Sequence, residues 1–191
     1  MTNNTWRDVL AASHRALETT VAAVQADQWN LPTPCSEWTV TQVVQHAAGD
    51  QLAYASALGV GSGPDFDPFS PSGTIAGDPV ALVGAAIEET AKAWAAVADD
   101  RESAPTPLPH GELPISIASG ACAMDAAVHA WDIAIGTGQP SPLGDELAAQ
   151  LLVVAHAIVE PLRNYGVFAA IVEGDNGGAE AELLRYLGRK P

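Results

Sequence analysis

Asp125-Ala126-Ala127-Val128-His129 places a carboxylate and an imidazole four residues apart. On an α-helix such residues are offset by about 40° and one turn of rise, so they point the same way and can share one ion. A second imidazole, His46, sits in Val43-Val44-Gln45-His46-Ala47-Ala48-Gly49, among small and apolar neighbours suited to a core. Two histidines and one carboxylate from two helices form a metal site of the kind helical bundles build, with coordination positions left for water or substrate. The same residues admit a plainer arrangement, in which a buried histidine and a carboxylate only hydrogen-bond across a helix interface. Spacing alone does not separate the two.

Other reactive side chains carry two readings each. Cys122 lies on the stripe of Asp125 and His129, where it lines a pocket as a thiol or packs as a small hydrophobe. Cys35 follows prolines in a loop with no local basic partner to lower its pKa, so it is expected to pack. Asp50, four after His46, and Asp132, three after His129, are placed either to orient a ligand imidazole through its second nitrogen or to face solvent. His110, in Pro109-His110-Gly111, is a candidate for a pocket mouth and otherwise a solvated loop residue. His14 and His156 have no partner motif, and the five tryptophans, Trp6, Trp29, Trp38, Trp94 and Trp131, are expected as core anchors.

Helices must position these groups. Alanine is frequent, and the segments between Pro/Gly clusters are long enough for helices rather than strands. The first helix is expected from about Trp6 to Ala26, capped by Asn4 or Thr5, with Val9, Leu10, Ser13, Leu17, Thr20, Val21 and Val24 on one face. Leu31-Pro32-Thr33-Pro34-Cys35 is barred from helix by its prolines. Thr39 and Gln42 have capping-box spacing and open a second helix reaching about Leu58. Gly59 to Gly77, rich in glycine and proline, reads as a long crossover loop able to fold over a site. Asp78-Pro79 starts a third helix to about Ala98, and prolines between Ala104 and Pro109 break the chain. A fourth helix follows Pro114 to about Gly136, a fifth spans about Gly144 to Val159, and a short last one spans Ala179 to Leu187. Val167 to Val172 is the one β-like stretch. The class is all-α: a four-helix bundle with a long crossover loop and a short C-terminal extension. One domain over 1–191 is expected, its core about 6–160 and its extension about 161–191.

Composition narrows the partners. The 191 residues are 48% hydrophobic and 16% charged, which suits a globular chain and not a disordered one. Eight Lys+Arg against 23 Asp+Glu give a formal charge of −15, a poor match for nucleic acid or an anionic membrane. The longest apolar stretch, Leu147 to Val159, is interrupted by Gln150 and His156 and is shorter than the roughly 20 residues of a membrane span. The N-terminus has no basic and apolar leader pattern, and two cysteines do not make a disulfide framework. The expectation is a cytoplasmic protein acting on a small molecule or a thiol, with a homodimer left open.

Pro32-Thr33-Pro34-Cys35-Ser36-Glu37-Trp38-Thr39-Val40, followed by His46-Ala47-Ala48-Gly49-Asp50, resembles the start of the second helix in the DinB-like metal-binding superfamily. More narrowly it resembles the actinobacterial branch related to the metal-binding domain of mycothiol-dependent maleylpyruvate isomerase. Asp125-Ala126-Ala127-Val128-His129-Ala130-Trp131-Asp132-Ile133-Ala134 is similar to that branch's D-x-x-V-H-x-W-D-L-A segment, and Leu183-Leu184-Arg185-Tyr186-Leu187-Gly188-Arg189 to its closing run. The resemblance implies an up-down-down-up bundle with a divalent metal, zinc first and nickel or another ion as alternatives, on His46, Asp125 and His129. Asp125 is one methylene shorter than the glutamate of the isomerase. It also implies mycothiol as cosubstrate and a thiol-dependent transferase or isomerase activity. The alternative is a non-catalytic metal or small-ligand binding module.

Overall fold

The computed structural model describes residues 5–35, 38–174 and 177–191. Asn4, Ser36 and Glu37 lie outside them. Six helices carry the chain: α1 (Trp6–Ala22), α2 (Val40–Ala57), α3 (Pro79–Ala95), α4 (Ile115–Thr137), α5 (Gly144–Arg163) and α6 (Ala179–Tyr186). A two-stranded antiparallel ribbon, β1 (Ser103–Pro105) and β2 (Glu112–Pro114), pairs Ser103 with Pro114 ahead of α4.

The helix starts are where local chemistry puts them. Thr5 and Asp8 satisfy each other's backbone N–H groups in a capping box at α1, and Thr39 and Gln42 do the same at α2. Asp78 accepts from the Val80 N–H at 3.0 Å, with Pro79 at the first helical position. The ends are less local. α1 stops at Ala22 rather than Ala26, because Gln25 turns the chain by binding the Ala23 carbonyl and the Gln28 side chain. α3 stops at Ala95 rather than Ala98. Arg7 of α1 donates to the Trp94 and Val97 carbonyls there, capping α3 with a charge from a different helix. α5 runs through Pro161 to Arg163, past the expected Val159. Between Ala104 and Pro109 the prolines were expected only to break the chain. Proline is compatible with a short edge strand, and the ribbon forms there. Val167 to Val172 forms no strand and runs as irregular backbone.

α4 is the axis of the fold. It is apolar on every side and packs against α1, α2 and α5. One core cluster gathers Leu17, Val21, Val43, Val83, Ile87 and Ile133 from α1 to α4. The other joins α4 to α5 and α6 through Trp131, Leu151, Ile158, Leu183 and Leu184. α4 and α5 approach so closely that a Cβ on Gly120 would lie 2.4 Å from Val154 Cγ2. The result is an all-α bundle whose second and third helices are joined by the long crossover. Among the described residues no helix is long and apolar enough to cross a membrane.

Candidate metal centre

α2 and α4 pack face to face and bring His46 to Asp125 and His129. One potential ligand atom from each of the three lies within 4.8 Å of the others. Asp125 Oδ1 is 3.7 Å from His46 Nε2 and 3.5 Å from His129 Nε2. Both imidazoles are oriented from behind. His46 Nδ1 donates to the Pro68 carbonyl at 2.9 Å, and His129 Nδ1 donates to Asp132 Oδ2 at 3.0 Å. With Nδ1 of each ring engaged from behind, both Nε2 atoms face the carboxylate. Burial lowers His129 to a pKa of about 4 despite the opposing pull of Asp132, so its ring is neutral at physiological pH.

The crossover loop of residues 58–78 is already folded over this site. Gln42 donates to the Pro71 carbonyl, Gln45 donates to Thr74 O and accepts from Gly73 N, and His46 holds Pro68. The α2 side chains therefore strap down the loop that the sequence suggested was able to fold over a site. Gly49 makes the close approach feasible, because a Cβ there would meet Pro68 Cβ at 2.8 Å and Phe66 Cε2 at 2.9 Å. Asp67 accepts from the Phe69 N–H at 2.9 Å and turns the phenyl ring against His46, centroid to centroid 5.3 Å. On the other side, Thr33 N and Oγ1 both donate to the Trp38 carbonyl, closing the proline-rich segment. Trp38 thereby packs on His46 at 4.8 Å. It lines the site as well as its local core, unlike the four other tryptophans expected as anchors.

Several groups were not visible as site residues in the sequence. Arg189, near the chain end, sends Nε and Nη2 to the two oxygens of Asp132 at 2.8 and 2.7 Å. Burial alone would raise the Asp132 carboxyl; the Arg189 charge and the bonds from Arg189 and His129 outweigh it and hold it below the usual carboxylate range. The signal for Arg189 was its place in the closing run of the resemblance. Gln51, fully buried, donates to Asp125 Oδ2 at 3.1 Å and to the Cys122 carbonyl at 3.2 Å. Its Oε1 accepts from His14 Nε2 at 2.9 Å and Cys122 Sγ at 3.2 Å. No short motif marks it.

Asp50 lies 3.7 Å from His46 Nε2 on the cavity side. Burial pushes the Asp125 carboxyl well above the usual range, and the neighbouring Asp50 pushes it further. Cys35 lines the cavity, which is more than packing, yet burial pushes its thiol up to about 12, so it stays protonated. Cys35, His129 and Asp132 form a second ligand-like group, but Asp132 is already engaged by Arg189. Cys122 and His110 are not among the lining residues. His156 is exposed, against Tyr186.

His14 provides a pH test. Burial lowers it to a pKa of about 4, opposed by its bond to Gln51. An unfolded histidine takes its proton near pH 6.5, so the unfolded state binds more protons between those values and stability falls as pH drops through them. Urea unfolding of metal-free protein at pH 7 and pH 5 should show His14 contributing about 2 kcal/mol of that loss. His14→Gln keeps a donor for Gln51 and should remove this share; an unchanged pH slope would contradict the assignment.

Residues 10–134 match the family described as the mycothiol maleylpyruvate isomerase N-terminal domain. The chain belongs to this family. Two uncharacterized proteins from two strains of Mycobacterium tuberculosis are each 36% identical to this family member over 159 residues, 81% of this chain and 81% of theirs. A crystal structure of a histidine-to-alanine mutant of mycothiol-dependent maleylpyruvate isomerase shares the fold, with a TM-score of 0.64 over 93% of this chain and 85% of that one, at 13% identity. The family match spans His46, Asp125 and His129 and stops short of Arg189.

Proposed function

We propose that this family member is a divalent-metal-dependent enzyme of the thiol-dependent transferase or isomerase type, with zinc on His46, Asp125 and His129 and mycothiol as the thiol. The carrying observation is the orientation of the two imidazoles. Both bond protein oxygens through Nδ1, and both aim Nε2 at Asp125 Oδ1, His129 from 3.5 Å and His46 from 3.7 Å. Two imidazole nitrogens and a carboxylate oxygen converging in a buried place can be joined by one cation. Two imidazoles and one carboxylate suit zinc and leave coordination open. A bound divalent ion would act there as a Lewis acid that lowers the pKa of a thiol or water.

The chain's own residues supply the rest. Asp132, clamped by Arg189, keeps the His129 proton on Nδ1, and the Pro68 carbonyl does so for His46. Gln51 binds Asp125 Oδ2 and so turns Oδ1 to the histidines. The strapped loop roofs the site with Pro68 and Phe69 and limits water.

Protein equilibrated with zinc and then dialysed should retain one ion per chain by elemental analysis. His129→Ala, with helical circular dichroism intact, should retain none; undiminished zinc there would refute the ligand set. Zinc-loaded protein that fails to consume mycothiol with any of a set of electrophilic carbonyl compounds would point to the binding module instead.

A further inference from the structure

The cavity above the three candidate ligands has a volume of about 580 Å³, the size of a site for a small organic molecule. Its walls are largely aromatic and aliphatic, with Trp38, Tyr54, Met124, Leu162 and Phe168 prominent. Three large apolar side chains stand out into solvent at this cavity: Phe69, 58% exposed, from the crossover loop, and Tyr165, 71%, and Val167, 46%, from the segment after α5. Eight large hydrophobic residues are exposed among the described residues, and these three share one cavity. Apolar surface gathered at the edge of a concave site, rather than scattered singly, marks a place where a ligand displaces water.

Charge narrows the ligand further. Arg189 is the one Lys or Arg among the described lining residues, and its Nε and Nη2 are both taken by Asp132. Asp50 and Asp125 line the same space. In the ion-free cavity an incoming carboxylate would exchange its hydration for aromatic walls and two aspartates, and the one guanidinium among the described lining residues is already ion-paired; a divalent ion on the candidate ligands would offset the aspartate charge.

We infer that the cavity binds an uncharged, mostly apolar organic substrate of aryl-ketone size, gripped at its mouth by Phe69, Tyr165 and Val167, and that in its ion-free form it discriminates against carboxylated analogues. That this ligand is a substrate rests on the proposed function; its chemical class rests on the cavity walls.

Equilibrium dialysis with two matched probes, benzylideneacetone and its 4-carboxylate, tests the inference on zinc-equilibrated and on chelator-treated protein. Both forms should bind the uncharged probe, and the chelator-treated protein should bind it at least tenfold more tightly than the carboxylate. Tyr165→Ser with Val167→Ser should weaken binding of the uncharged probe about tenfold, with zinc content unchanged, since both side chains are exposed and stand away from the candidate ligands. Equal or tighter binding of the carboxylate by the chelator-treated protein, no binding of either probe, or no effect of the double variant would overturn it. Protein that holds no zinc yet keeps the preference would sink the proposed function alone. Protein that holds zinc but, once stripped of it, prefers the carboxylate would sink this inference alone.

Discussion

Arg189→Met should destabilise the protein by about 3–5 kcal/mol, the usual consequence of leaving a buried carboxylate without its partner. Asp132 is fully buried, and Arg189 binds both of its oxygens while His129 donates to one of them. Methionine keeps most of the unbranched stem and removes the guanidinium, so the loss reports charge and hydrogen bonds more than packing. Urea unfolding measures it. Arg189→Lys restores a charge without the planar fork and should recover only part of the stability. If Arg189→Met does not fold, adding Asp132→Asn removes the stranded charge and should restore folding. The proposed function adds a second readout: the His129 ring loses a fixed acceptor, and zinc affinity should fall at least tenfold. Wild-type stability in Arg189→Met would show that the ion pair anchors nothing.

Gln51→Leu should cost about 2–4 kcal/mol, because one substitution leaves several buried groups unpaired. Gln51 Nε2 serves Asp125 and the Cys122 carbonyl, and its Oε1 serves His14 and the Cys122 thiol. Leucine has a comparable volume and can make none of these bonds. Zinc affinity, read by competition with a chelator of known strength, should also drop at least tenfold as Asp125 Oδ2 loses its donor. Gln51→Glu separates the two effects. It keeps an acceptor for His14 and Cys122 but sets a carboxylate against Asp125, so it should destabilise the metal-free protein while the added negative charge keeps zinc affinity above that of Gln51→Leu. Undiminished zinc affinity in Gln51→Leu would reduce Gln51 to a packing residue.

The helices were legible because their signals are local. The Thr39/Gln42 box and the Asp78-Pro79 start act within one turn, and both stand at the helix starts observed. Endings were read less well. The stop of α3 depends on Arg7, some ninety residues away in the chain, and the ribbon before α4 depends on pairing across a loop of prolines. The crossover loop was recognised by composition, but its strapping by Gln42, Gln45 and His46 follows from the face α2 presents, which glycine and proline counts do not report.

Of the candidate ligands, Asp125 and His129 were paired by helical period alone, since four residues return a side chain to nearly the same direction. His46 was named from its apolar neighbours and the resemblance, and packing of α2 on α4 brings it to the pair. Thus the sequence by itself determined the class of fold, most helix starts, the acidic balance and the three side chains suited to an ion. Only the tertiary structure decided what holds them. Arg189 reaches Asp132 across 57 residues and Gln51 reaches Asp125 across 74. Arginine and glutamine are common on surfaces, and nothing in their local sequence marks these two as buried. Their roles come from a buried acceptor that must be satisfied, and which donor satisfies it depends on how the whole chain packs.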